Sequence, residues 1–176
     1  MKVKVNGEIR EYKEGTSYYK ISRDFADQYD GEIIAVKIKN YYTELSKRLS
    51  SDCELTFVTV ENPIGYKTYV RGMTMMMLKA LYQVAGSEHL QKVVVEYTLD
   101  SGYYCEIEGD VIITPKLLQK VEDKMHEFVN RDILFEKLSM NIEEAIELFE
   151  SYGMYDKSKL IKYRRSSREN IYKLNN

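Results

Sequence analysis

Five residues, Glu61-Asn62-Pro63-Ile64-Gly65, separate two unlike stretches of this chain. Before them, apolar side chains come in short alternating runs. After them, apolar side chains recur at helical spacing over much longer segments. Proline and glycine together disfavour continuation of either a helix or a strand, so the chain is expected to build two small cores rather than one. Its 176 residues suffice for that. The expected division is 1–62, 67–165 and a basic connector over 166–176.

In the first segment, Val3 and Val5 alternate with lysines, and Asn6-Gly7 carries the signature of a two-residue hairpin turn. Thr16 or Ser17 caps a helix whose apolar positions are Tyr18, Ile21, Phe25 and Tyr29, and Asp30-Gly31 stops it. Ile33, Ile34, Val36 and Ile38 read as one strand, and Leu55, Phe57, Val58 and Val60 as another. A strand hairpin, a crossing helix and returning strands give the order of a β-grasp fold.

In the second segment, Met73, Met76, Met77, Ala80, Leu81 and Val84 share one face of a helix ending near Gly86. Val93 to Val95 open a strand, and Tyr103 to Ile107 form its antiparallel neighbour across Asp100-Ser101-Gly102. Asp110 to Ile113 are expected to add a third strand. Thr114-Pro115 places an N-cap before proline at the first helical position. The helix that follows buries Leu117, Leu118, Val121, Met125, Phe128 and Val129. Asn141 and Glu144 form a capping box for a helix through Phe149, which Gly153 terminates. Both segments together predict an α+β protein.

Composition narrows the function classes. Hydrophobic content of 44% with 31% charged residues is that of a globular protein, and no apolar run approaches a membrane span. The opening Met-Lys-Val-Lys-Val-Asn-Gly has no signal-peptide character. Cys53 and Cys105 lack any Cys-x-x-Cys partner, which points to a reducing, cytoplasmic setting. The net charge of −2 is unevenly held: residues 157–176 contain seven basic side chains and Glu169 alone, a net +6 that leaves −8 on the rest. An acidic body argues against a broad nucleic-acid-binding face. The 16 tyrosines are scattered and read as packing residues with wet hydroxyls.

Four stretches carry a family likeness: Val70-Arg71-Gly72-Met73-Thr74-Met75-Met76-Met77-Leu78, Gly102-Tyr103-Tyr104-Cys105-Glu106, Thr114-Pro115-Lys116-Leu117-Leu118, and the segment from Asn141 to Phe149. In order and spacing they resemble the second N-terminal domain of threonyl-tRNA synthetases, which hydrolyses mischarged aminoacyl-tRNA, and its alanyl-tRNA editing relatives. The first 60 residues, lying directly before it, resemble a TGS domain. The likeness implies a TGS-like β-grasp domain followed by an editing-like α+β domain. The editing family carries His-x-x-x-His at the start of the first long helix, and imidazoles at i and i+4 jointly hold a metal or a water. Here those positions are Gly72 and Met76. Neither binds zinc well or moves a proton, so the expectation is no catalytic residue and no metal site. Where the family motif resembles Gly-Phe-Tyr-Tyr-Asp, Cys105 replaces the acid.

A residual cleft is expected where the start of this helix meets the Gly102–Glu106 strand, lined by Arg71, Gly72, Thr74, Met75, Met76, Tyr104 and Cys105. Arg71 is the anion-binding candidate, through its planar fork of donors. Cys105 has no evident base to activate it and reads as a small packed residue. His89 and His126 read as surface residues with no ligand spacing to each other or to a cysteine. The chain has no Gly-x-x-x-x-Gly-Lys-Ser/Thr loop. Loss of the editing histidines resembles bacterial uridine kinase-family proteins, in which TGS and editing-like domains precede a P-loop kinase. That resemblance implies a non-catalytic regulatory region, with a downstream kinase domain as partner and ATP and Mg confined to that domain. The alternatives are an aminoacyl-tRNA editing deacylase or tRNA-binding region of a threonyl-tRNA synthetase-like protein, and a structural or dimerisation module. A small molecule or a tRNA end is the expected ligand, with no membrane partner.

Overall fold

The computed structural model describes residues 1–100 and 102–175, and the chain divides into two compact units, Met1–Thr74 and Met75–Asn176. In the first unit, β1 (Lys2–Val5) and β2 (Glu8–Glu11) form a hairpin. Its turn residues Asn6 and Gly7 both take positive φ, 49° and 88°, as the expected type I′ geometry demands. After α1 (Tyr18–Arg23) come β3 (Ile33–Ile38), β4 (Tyr41–Glu44) and β5 (Cys53–Thr59). The sheet order is β2-β1-β5-β3-β4, with β5 parallel to β1 and antiparallel to β3. This is the β-grasp arrangement read from the sequence.

Alternation along β1 and β5 sends Val3, Val5, Leu55 and Phe57 to the same sheet face, where they meet Tyr18, Ile21 and Phe25 in one buried cluster. Tyr29 packs edge-on against Phe57, with ring centroids 5.7 Å apart, and its hydroxyl accepts the Phe57 N–H at 3.2 Å. Helix α1 is shorter than expected. Ser17 caps it through the Lys20 N–H, but regular helix stops at Arg23, and a 3-10 turn over Ala26–Gln28 carries the chain on to Tyr29. Three buried positions at helical spacing were enough to close the core without a longer helix.

The Pro63-Ile64-Gly65 stretch is a helix start rather than a linker. Helix α2 runs from Pro63 to Ala85, with Asn62 accepting the Ile64 N–H, and proline is well tolerated in a first turn that has no intrahelical donor to lose. Gly65 is there for space: a Cβ would overlap the carbonyl oxygen of Thr59, so only glycine lets the helix start so close to the end of β5. The division between the units falls inside α2, at Thr74/Met75.

The second unit contains β6 (Leu90–Leu99) paired with β7 (Gly102–Gly109), then α3 (Pro115–Asn130), β8 (Phe135–Asn141), α4 (Ile142–Ser151), α5 (Tyr155–Lys162) and β9 (Arg168–Leu174). The expected turn at Asp100-Ser101-Gly102 includes Ser101, which lies outside the described residues. Caps appear where the sequence placed them: Thr114 accepts the Leu117 N–H, and Asn141 and Glu144 form a reciprocal capping box. Two expectations need correction. Residues 110–113 form no third strand; β7 ends at Gly109, and the chain leaves it for the α3 cap. Residues 168–174 are not a connector but strand β9, antiparallel to β8 with Leu138 opposite Ile171; Asn176 lies outside the described residues. A basic run still makes a strand when alternate apolar residues have a partner strand to meet, and β8 supplies one.

Candidate functional site

Helix α2 presents the first group of candidate residues. Arg71 is exposed and makes no ion pair among the described residues, while Thr74 turns its hydroxyl back to the Val70 carbonyl at 2.9 Å. Gly72 and Met76 stand one helical turn apart. Gly72 has no side chain to offer, and Met76 is buried, with 8% of its surface exposed. Met75 is half-buried. Arg71, Gly72 and Thr74 belong to the first unit; Met75, Met76, Tyr104 and Cys105 belong to the second.

The β6–β7 hairpin presents the rest. Its register shifts between Val95 and Tyr97, with Val95 opposite Cys105 and Tyr97 opposite Tyr104. The extra residue, Glu96, re-aims the strand as a bulge does. Tyr97 and Tyr104 consequently stack at 5.1 Å with 18° between their planes, and both stay exposed. Cys105 is half-buried, with Sγ 3.9 Å from the Tyr103 carbonyl oxygen, and among the described residues no acid or imidazole hydrogen-bonds to it. The pair of tyrosine rings was not legible in the sequence, because an unmarked bulge changes which side chains face one another.

The histidines are exposed, as read. His89 nevertheless has company: its Nδ1 is 3.1 Å from Asp110 and its Nε2 is 3.9 Å from Glu88. Asp110 follows the end of β7 and is brought to His89 by the Leu90–Gly109 pairing, a contact that no local spacing predicts. Among the described residues, no three His, Cys, Asp or Glu side chains converge as a metal-binding group. Nor is any helix there long and apolar enough to cross a membrane. An open groove of about 750 Å³ lies in the first unit, lined by Glu32, Val60, Glu61, Pro63, Tyr66 and Tyr69. It sits at the first turns of α2 and includes none of the residues expected to form the cleft.

Burial pushes the Cys53 thiol upward, with the Asp52 carboxylate adding to the shift, so it is held as a protonated packing residue. Helix α2 presents the Arg71 guanidinium, and β7, in the second unit, presents Tyr104 of the stacked pair and the half-buried Cys105.

This is an α+β protein with a β-grasp unit ahead of a mixed unit. No family model matches the chain. It is 25% identical over 157 residues to the threonine–tRNA ligase of Clostridium kluyveri, covering 89% of this chain and 24% of that protein. With the threonine–tRNA ligase of Thermotoga maritima it is 26% identical over 177 aligned positions, 98% of this chain and 27% of that protein. The Thermotoga neapolitana enzyme is 26% identical over 153 residues, 85% of this chain and 23% of that protein. The chain thus resembles threonine–tRNA ligases over most of its own length while spanning about a quarter of theirs.

Proposed function

We propose that this chain is a threonyl-tRNA synthetase-like region, TGS-like then editing-like, that binds the aminoacyl end of a tRNA without hydrolysing it. The observation that carries the reading is the likeness to threonine–tRNA ligases over 89% of the chain, combined with Gly72 and Met76 at the i, i+4 positions on α2. Hydrolysis needs a group that activates water, and neither glycine nor a thioether supplies one. Binding needs much less. Within the second unit, the exposed Tyr97–Tyr104 pair offers a π face. The relatives favour this reading over the nucleoside-kinase accessory region to which the missing histidines first pointed.

The test is a gel-shift and anisotropy measurement with an acceptor-arm minihelix, unmodified and carrying a non-hydrolysable seryl group at its 3′ end. Tighter binding of the seryl form, lost in Tyr97→Ala and Tyr104→Ala, supports the reading. Equal binding of both forms, insensitive to those substitutions, contradicts it.

A further inference from the structure

In the second unit, two lysines stand over one phenyl ring, and Arg131 and Lys173 flank their contacts. Lys79 on α2 reaches past Phe128 of α3, its ammonium 5.7 Å from the ring centroid, and donates to the Leu174 carbonyl of β9 at 2.7 Å. Lys124 stands over the same ring at 5.6 Å. Glu127 bridges Lys124 at 2.7 Å and Arg131 at 3.1 Å. Lys173 directly precedes Leu174, whose carbonyl Lys79 holds, and its charge opposes that of Lys79. Among the described residues, Glu127 is the carboxylate that ion-pairs with this group. Glu136 faces Lys173 across the β8–β9 ladder, but its carboxylate oxygen accepts from Asn175, and no ion pair joins it to Lys173. Among the described residues, Lys79 and Lys173 have no acidic partner.

Such a gathering costs stability unless something offsets it. Burial, Arg131 and Lys173, in that order, hold the Lys79 ammonium below its ordinary pKa. In water alone the group would swing outward; here a carbonyl and an aromatic face hold it in place. An anion set among these donors removes the repulsion and completes the hydrogen bonding. Lysines supply compact charges and Arg131 a planar fork, the mixture that suits tetrahedral oxyanions.

We propose that Lys79, Lys124, Arg131 and Lys173 form a binding site for a phosphate group, carried by an RNA backbone or by a small phosphorylated compound. The site lies on α2, α3 and β9 and uses none of the side chains invoked for aminoacyl-end recognition. It therefore stands or falls separately from that reading.

Amide chemical-shift titration of the 176-residue chain with inorganic pyrophosphate at low salt tests it. Saturable shifts are expected at Lys79, Phe128, Arg131 and Lys173, together with a raised melting temperature. Lys173→Gln, exposed and outside the core, should weaken binding about tenfold, the size of one charge-assisted hydrogen bond. Lys79→Gln should do the same, and if it fails to fold, Lys173→Gln carries the test alone. A second arm uses a single-stranded RNA dodecamer. RNA binding whose salt dependence loses about one ion in Lys173→Gln assigns the phosphate to a nucleic-acid backbone. Pyrophosphate binding without RNA binding assigns it to a small compound, and either result supports the site. Absence of localised shifts with both ligands, or affinities unchanged by Lys173→Gln, overturns it.

Discussion

The two units of this molecule reach order by different routes. The first gathers its buried side chains into one continuous cluster under a five-stranded sheet, with Phe25, Ile21, Val3, Val5 and Val36 almost wholly enclosed. The second has two separate two-stranded ladders and four helical segments. Its buried positions are spread among Leu90, Val121, Phe128, Ala145, Ile161 and Leu174, while many of its aromatic side chains lie exposed. The lesson concerns the use of surface. The first unit keeps exposed apolar side chains around an open groove at the start of α2, whereas the second stacks Tyr97 on Tyr104 and holds Lys79 and Lys124 over the Phe128 ring.

The largest expected effect tests whether the cores are separate. Phe25→Ala should cost the first unit about 3–5 kcal/mol, the range for deleting an enclosed aromatic side chain. Hydrogen exchange should then show the β1–β5 ladder opening while the β8–β9 ladder stays protected. Simultaneous loss of protection in both ladders would break the comparison and make the chain one cooperative body. Next in size is Gly65→Ala, where the added methyl meets the Thr59 backbone. Crowding of this kind costs about 1–3 kcal/mol. Calorimetry should place that loss in the transition of the first unit, and an unchanged transition would remove the steric account of the α2 start.

Within the second unit, Asn141→Ala removes the capping box of α4 and should cost about 1 kcal/mol. Glu144→Ala should give a similar loss, and the double variant less than the sum, because the two side chains act reciprocally. Strict additivity would show the box to be two independent bonds.

The effect least visible at neutral pH is a pH dependence in the first unit. Burial, aided by its hydrogen bond to Asp24, pushes the Tyr12 phenol from 10 up to about 12. Folding therefore favours the protonated phenol. Its contribution is whole below pH 10 and is lost as pH rises towards 12, because the unfolded chain releases the proton first. Tyr12→Phe should flatten stability across that window. A Tyr12→Phe profile that declines as steeply as the parent between pH 10 and 12 would assign the slope to other groups.

Much of the fold was legible because its signals are local. Asn6-Gly7, the Ser17 cap, Thr114-Pro115 and the Asn141–Glu144 box each act over a few residues, and each appears where the sequence puts it. What escaped is non-local. Strand β8, with exposed Phe135, Glu136 and Lys137, has little apolar alternation of its own and exists because β9 pairs with it some thirty residues later. The basic character of residues 166–176 pointed to solvent, but Leu174 is buried and Ile171 half-buried. The site divides in the same way. Gly72 and Met76, four residues apart on α2, can be read directly from the sequence. The Tyr97–Tyr104 stack depends on a bulge, and the Lys79 cluster joins three elements far apart in the chain.

The central claim, that the editing-like region binds an aminoacyl end without cleaving it, is met most directly by one measurement. Purified 176-residue chain is incubated with seryl-tRNA and alanyl-tRNA, and release of the amino acid is followed beside a binding isotherm on the same samples. The account predicts saturable binding with deacylation at the rate of the uncatalysed ester, with or without added zinc. Turnover well above that rate would contradict it, showing that some group other than residues 72 and 76 activates water.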